Sequence, residues 1–165
     1  MGRMDEKGNT KKTNEMKIRT ASDKDKKEAL KIAESLKEWF NKDGIKNMKI
    51  DFAMNHVIVA KEKEKVLAFL SYTCYSGKML LLWMGVKKET QRKGVGEALL
   101  NFLVQEAKRL RLYSIEVETL PDEDIYEPYE RTRAFYYKNG FERILYKKAR
   151  VKGWDDQIVL ERKIQ

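Results

Sequence analysis

The chain holds one cysteine, one histidine and two prolines in 165 residues. A lone thiol, Cys74, cannot close an internal disulfide or supply the cysteine pairs of a structural zinc site. A lone imidazole, His56, leaves a Ser-His-Asp triad or a histidine-rich metal centre with a single candidate member. Both residues fall on strand-like segments, where packing is the expected role. No apolar run approaches the ~18 residues of a membrane span; the longest, "MLLLWMGV", is the length of a strand. The first fifteen residues, "MGRMDEKGNTKKTNE", lack the apolar stretch of a secretory signal. These absences point to a soluble, cytoplasmic protein with no metal.

Lysine and arginine total 35 against 26 acids, a formal charge of +9. Such a balance suits a nucleic acid, an anionic membrane surface or an anionic small molecule. The excess lies beyond the first fifteen residues, with one cluster in "YKKARVK" (146–152). The apolar fraction of 42% is enough for one core, and the length suits one domain. Residues 1–15 are polar and aperiodic and read as a loose tail; residues 16–165 read as the domain.

Along the domain, "MKIRTAS" reads as a first strand. Ser22 is placed to cap a helix over 23–41, whose stripe is Ala29, Leu30, Ile32, Ala33, Leu36, Trp39 and Phe40. Asn41 to Gly44 reads as its end, and "NMKIDFAMN" as an ambiguous second helix. "HVIVAKE" and "VLAFLSYTCY" are strands; "MLLLWMGV" is a third, apolar on both faces and therefore central. Val95, Ala98, Leu99, Phe102, Leu103, Ala107 and Leu110 then recur at helical spacing. "LYSIEVETL" is a strand and "PDEDIYEPYE" a loop. "RTRAFYYKN" is a short helix with Gly140 beyond its end, and "FERILYKKAR" and "DQIVLERKI" form a closing hairpin. The order β-α-(α)-β-β-β-α-β-α-β-β implies an α/β domain: a mostly antiparallel mixed sheet with one central parallel βαβ pair and helices on both faces.

The long helix begins "QRKGVG". A helix N-terminus leaves about four N–H groups unpaired and carries the positive end of the helix dipole, so it attracts anions. Gly94 and Gly96 let a phosphate approach the backbone, and Arg92 and Lys93 add charge. A turn that only packs the helix on the sheet explains the same glycines. The segment is neither a Walker loop nor a dinucleotide fingerprint, because no Gly-Lys-Ser/Thr follows and Leu99 stands where a third glycine is required.

The segment "VKKETQRKGVGEALL" resembles the Q/R-x-x-G-x-G/A element of the GNAT superfamily of acetyl-CoA-dependent N-acetyltransferases, matching at Gln91, Gly94 and Gly96. "TRAFYYKNGF" (132–141) resembles the superfamily's late helix and strand start. The resemblance covers roughly residues 16–163. It implies that the strand ending at Val86 parts from "SIEVETL", with the cofactor arm against the backbone of Met84, Gly85 and Val86, Gly85 supplying a bulge or close approach. It implies a pyrophosphate site on the N–H groups of Arg92, Lys93, Gly94, Val95 and Gly96, with Gln91, Thr132 and Phe135 also at the cofactor. It puts Tyr136, rather than its neighbour Tyr137, at the position of the tyrosine that protonates the departing thiolate. Backbone N–H of Val86 would polarise the thioester carbonyl.

The family's glutamate before the glycine turn has no counterpart in "MLLLW". Glu116 and Glu118 alternate with Ile115 and Val117, share one strand face, and stand as candidate bases. The acids of "PDEDIYEPYE" are candidates for attracting a cationic amine. Trp39, Trp83 and Trp154 read as core or cleft walls. Acetyl transfer to a primary amine is the function expected; an acyl-CoA-binding sensor and a nucleic-acid-binding domain are the alternatives. No basic recognition helix supports the nucleic-acid reading. A homodimer is compatible with the sequence, and no feature demands one.

Overall fold

The computed structural model describes residues 15–164; the expected tail lies almost wholly outside them. The chain runs β1 Met16–Thr20, α1 Asp23–Ser35, α2 Lys42–Met54, β2 His56–Glu62, β3 Lys65–Tyr75, β4 Lys78–Val86, α3 Val95–Arg109, β5 Ser114–Thr119, α4 Glu127–Lys138, β6 Glu142–Lys147 and β7 Gln157–Lys163. The strands form one sheet in the order β1-β2-β3-β4-β5-β7-β6. Among the described residues only β4 and β5 are parallel; every other neighbouring pair is antiparallel. This is the expected mixed sheet with its central crossover.

Two apolar layers clothe the sheet. On one face α1 and α2 cover Val57, Val59, Val66 and Phe69 with Ala29, Ile32, Leu36, Met48 and Phe52. On the other, α3 and α4 cover Ile58, Ala68, Leu70, Leu81, Ile115, Val117, Ile158 and Leu160 with Leu99, Leu103 and Tyr136. Along β2, and along β3 from Ala68, the residues alternate between these layers, as a strand covered on both sides requires; a bulge at Leu67 breaks the alternation once.

The helix expected over 23–41 stops at Ser35. Ser22 caps it as anticipated: its Oγ accepts from Asp25 N at 3.1 Å and Asp25 Oδ2 accepts from Ser22 N at 3.0 Å. Asn41 does not end this helix but starts the next, accepting from Gly44 N at 2.8 Å through Oδ1. Between them, Trp39 and Phe40 leave the helical stripe for partners elsewhere. Trp39 Nε1 donates to Pro128 O and Thr132 Oγ1, each at 3.1 Å, and Phe40 meets Trp83 edge-on at 6.0 Å. Tertiary contacts thus outweigh the local pattern. Helix α4 also begins earlier than the sequence suggests, at Glu127, because Pro128 in a first turn removes only an N–H that has no partner there.

Cys74 and His56 are exposed rather than packed; His56 stacks on Tyr72 with ring centroids 5.0 Å apart. Trp154 is 69% exposed and fills no core. Strand β6 is exposed along its whole length, an edge broken by a bulge between Arg143 and Leu145.

Candidate active site

Strands β4 and β5 pair only from Lys78↔Ser114 to Leu81↔Val117. Beyond that point β4 runs on to Val86 and β5 to Thr119 without facing each other. A bulge sits at the parting: Tyr72 opposes Leu81 while Ser71 opposes Trp83, leaving Leu82 as the extra residue. It shifts the alternation of β4 by one. Met79 and Leu81 face the α3 layer, and after the bulge so do Met84 and Val86, while Trp83 turns to the α1–α2 layer.

The register also shows which main-chain groups are free. Lys87 N donates to Leu67 O at 2.9 Å. In an antiparallel ladder hydrogen-bonded pairs alternate with non-bonded ones. Gly85 and Trp83 therefore direct N–H and C=O to β3, and Met84 and Val86 direct theirs into the gap. On the far side Ile164 N donates to Tyr113 O at 2.8 Å. By the same alternation Thr119 and Val117 face β7, and Glu118 offers its backbone to the gap. Met84 and Val86 thus turn their backbone groups to the slot, and Gly85 turns its own to β3. A Cβ on Gly85 would stand 2.6 Å from Phe69 Cε1 and 3.3 Å from Leu36 Cδ1. This glycine makes room for a core ring, and the bulge is at Leu82.

From Val86 the chain makes a 3-10 turn, Lys88–Thr90, and enters α3. Gln91 Nε2 donates back to Val86 O at 3.0 Å. Arg92 (φ 62°) and Gly94 (φ 78°) both take the left-handed conformation. Such alternation turns successive N–H groups toward one hollow. Gly94 is the N-cap of α3 and no side chain caps the helix, so its first N–H groups are free. The two glycines serve different ends. A Cβ on Gly94 would meet nothing within 4 Å, so the surface there is open. A Cβ on Gly96 would stand 3.2 Å from Met84 Cε and 3.5 Å from the Phe135 ring. Gly96 lets α3 close on β4 and α4. Val95 N–H belongs to the free set while its side chain is buried; Arg92 and Lys93 are exposed beside it.

Tyr136 lies on the same face of the sheet, 5% exposed, with Phe135 and Phe141 edge-on at 5.3 and 5.2 Å. Burial, with a smaller contribution from Tyr129, pushes its phenol well above the ordinary tyrosine value. Tyr137 points elsewhere, its OH donating to Asp122 Oδ2 at 2.9 Å. Thr132, expected at the cofactor, spends its hydroxyl on Trp39 Nε1 and Pro128 O. Nearby, Tyr129 OH donates to Trp39 O at 2.8 Å and Tyr126 OH to Glu38 O at 2.9 Å. These bonds staple the α1–α2 connection to the first turn of α4 over the ends of β4 and β5. Nothing in the sequence announced the staple beyond the aromatic richness of both segments.

Glu116 and Glu118 share the α1–α2 face, as alternation required. Glu116 stands at the foot of the gap and accepts from Lys78 Nζ at 2.9 Å. Glu118 stands inside the gap and pairs with Lys147 Nζ. The acidic loop is in part paired. Asp122 and Glu123 are both held by Arg143 at 3.0 Å, and Asp122 also by Arg133 at 3.4 Å. Cations from α4 and β6 thus answer two of its acids. A surface hollow of about 540 Å³ lies apart from the gap, at the β2–β3 turn (Glu62, Lys63, Glu64, Lys65 and Leu67).

Comparison with known proteins agrees with this geometry. A GNAT-family protein from Desulfovibrio desulfuricans superposes with a TM-score of 0.78 at 21% identity, covering 92% of this chain and 100% of the other. The ribosomal-protein-S18-alanine N-acetyltransferase of Escherichia coli gives 0.74 at 18%, covering 92% and 95%. The PaiA N-acetyltransferase of Thermoplasma acidophilum, solved with coenzyme A, gives 0.69 at 18%, covering 90% and 99%. At these identities the likeness is one of fold. No curated protein matches by sequence. The family model for the acetyltransferase (GNAT) domain matches residues 53–143, more than half of the chain and the whole stretch from β2 to the start of β6. The chain therefore belongs to the GNAT family of acetyltransferases.

Proposed function

We propose that the protein transfers an acetyl group from acetyl-CoA to a primary amine by direct attack within a ternary complex. The observation that carries this reading is the slot itself: β4 leaves β5 after Leu81, and the free N–H groups of Met84 and Val86 lead to the uncapped start of α3. The slot suits an extended amide-bearing arm, and the turn at Gln91–Gly96 suits a pyrophosphate. The amine nitrogen forms its bond to the acetyl carbon while the carbon–sulfur bond breaks and the pair leaves on sulfur. Val86 N–H bears on the carbonyl oxygen as charge develops there. Tyr136, kept protonated by burial, gives its proton to the thiolate. The nitrogen loses its proton to water or to a carboxylate.

Glu116 and Glu118 are the candidate bases. Each is paired with a lysine, Glu116 with Lys78 and Glu118 with Lys147, and that lysine must move aside before the carboxylate can take the amine proton. Glu118, inside the gap, is the better placed. The acceptor would approach from the α1–α2 side, past Trp39, Phe40 and Trp83.

Thermal unfolding with and without acetyl-CoA tests the reading, beside a Gly94→Glu variant. Specific binding raises the midpoint in a concentration-dependent way and the variant loses the rise. Release of free thiol with a panel of amines then identifies acceptors. An unchanged midpoint with saturating acetyl-CoA and with free CoA would overturn the proposal.

A further inference from the structure

One buried polar atom at the gap has no protein partner. Thr119 ends β5, two residues past Val117, where pairing with β4 stops. It is 4% exposed, and its Oγ1 is buried without a hydrogen bond. Alternation puts its side chain on the face of Ile115 and Val117, beneath α3 and α4, the face that also carries Tyr136. Its own N–H and C=O belong to the set that faces β7, so the hydroxyl is the polar group it offers on this side.

Burying a hydroxyl unpaired is costly, and valine would fill nearly the same space without that cost. The Ser71 and Ser114 hydroxyls are also unpartnered. Neither borders the gap: Ser71 lies on β3 between two paired neighbours, and Ser114 sits where β4 and β5 are still joined. Thr119 alone of the three stands where the strands have parted.

We infer that Thr119 is a further binding residue, whose Oγ1 hydrogen-bonds the amide-bearing pantetheine arm of the acyl-CoA and fixes the thioester against Val86 N–H and Tyr136. The inference rests on the acetyl-CoA reading above. A hydroxyl both donates and accepts, so it can serve either group of a secondary amide. It would hold the arm from the β5 side, while Met84 and Val86 hold it from β4.

The test compares wild type, Thr119→Val and Thr119→Ser by thermal unfolding with and without CoA, and by KM for acetyl-CoA with any amine that turns over. In Thr119→Val the ligand-free midpoint holds or rises, because an unpaired hydroxyl is gone. The rise caused by CoA falls by half or more, and KM for acetyl-CoA increases roughly tenfold. Thr119→Ser, which keeps the hydroxyl, stays within about twofold of wild type. A Thr119→Val protein that keeps the full CoA-dependent rise overturns the inference. So does one whose ligand-free midpoint drops while Thr119→Ser holds, since the hydroxyl would then serve the fold. Failure of the wild type to respond to CoA is a different result, and removes the acetyl-CoA reading on which this rests.

Discussion

Gln91 reaches back five residues to hydrogen-bond the carbonyl of Val86 at 3.0 Å. This contact ties the turn before α3 to the end of β4. It also occupies the one gap-facing carbonyl of Val86 and leaves the N–H of that residue as its free group. One side chain thereby sets both the position of the turn and the polarity of the slot.

Gln91→Ala is therefore expected to weaken acetyl-CoA more than it weakens the fold. Loss of one partly buried hydrogen bond costs about 1 kcal/mol of stability. The loosened turn raises KM for acetyl-CoA by roughly three- to tenfold. Isothermal titration with CoA, read beside urea unfolding, separates the two effects. Equal affinity in the variant would show that the turn is held by other means.

The two glycines of the turn predict opposite failures. Gly94→Ala meets no atom but must hold φ near 78°, so it folds with a loss of about 1 kcal/mol and keeps its CoA response. Gly96→Val is forced against Met84 and Phe135 and shifts the start of α3, at a cost of about 1–3 kcal/mol. Its CoA response is lost because the N–H groups move with the helix. Midpoints with and without CoA for both variants decide this. A Gly96→Val protein with the wild-type CoA response would show that the tight packing at Met84 plays no part.

Much of the site was legible because turn chemistry and helical spacing are local. The glycines, the cations before them and the stripe from Val95 to Leu110 are all contiguous, and the resemblance supplied Tyr136 and the parting strands. What stayed hidden depends on partners far along the chain. The bulge at Leu82 cannot be read from a run in which both strand faces are apolar, because a slip of one residue leaves the pattern unchanged. Gly85 and Gly96 answer to Phe69 and Phe135, which no spacing rule connects to them. The acidic loop looked bare because Arg133 and Arg143 reach it from α4 and β6. The stop at Ser35 was obscured by Leu36, Trp39 and Phe40, which keep helical spacing while two of them serve other elements.

Tyr136→Phe isolates the proton given to sulfur. The ring remains between Phe135 and Phe141, so the unfolding midpoint stays near wild type or rises. The value of kcat falls about a hundredfold, with little change in KM for acetyl-CoA. Because burial holds the phenol above its ordinary value, it stays protonated through the neutral and mildly alkaline range. The wild-type profile of kcat should thus show no decline from this group between about pH 7 and 9. A Tyr136→Phe enzyme with full kcat would send the search for the acid to solvent or to a neighbouring tyrosine.

Acid stability should trace to one buried pair far from the slot. Asp25 is 1% exposed and Lys61 6%. Burial acts to raise the Asp25 carboxyl, but donors from Lys61 Nζ at 2.8 Å, Ser22 N at 3.0 Å and Arg19 Nη2 at 3.2 Å prevail and hold it well below the ordinary value. A carboxyl lowered in the folded state contributes stability above its unfolded value, about 3.9, and loses it as pH falls toward the folded one. Between pH 5 and 8 this pair should therefore leave stability flat, with the decline beginning under about pH 4. Asp25→Asn leaves the Lys61 ammonium buried, with only the exposed Glu64 at 3.8 Å to answer it. The expected cost is about 3–5 kcal/mol at pH 7. That cost should shrink at pH 3, where the wild type has begun to surrender the same interaction. Urea unfolding of both proteins at the two pH values tests this. A cost under about 1 kcal/mol at pH 7 would mean that water reaches Lys61 freely and that the pair is not what anchors α1 to the β2–β3 hairpin.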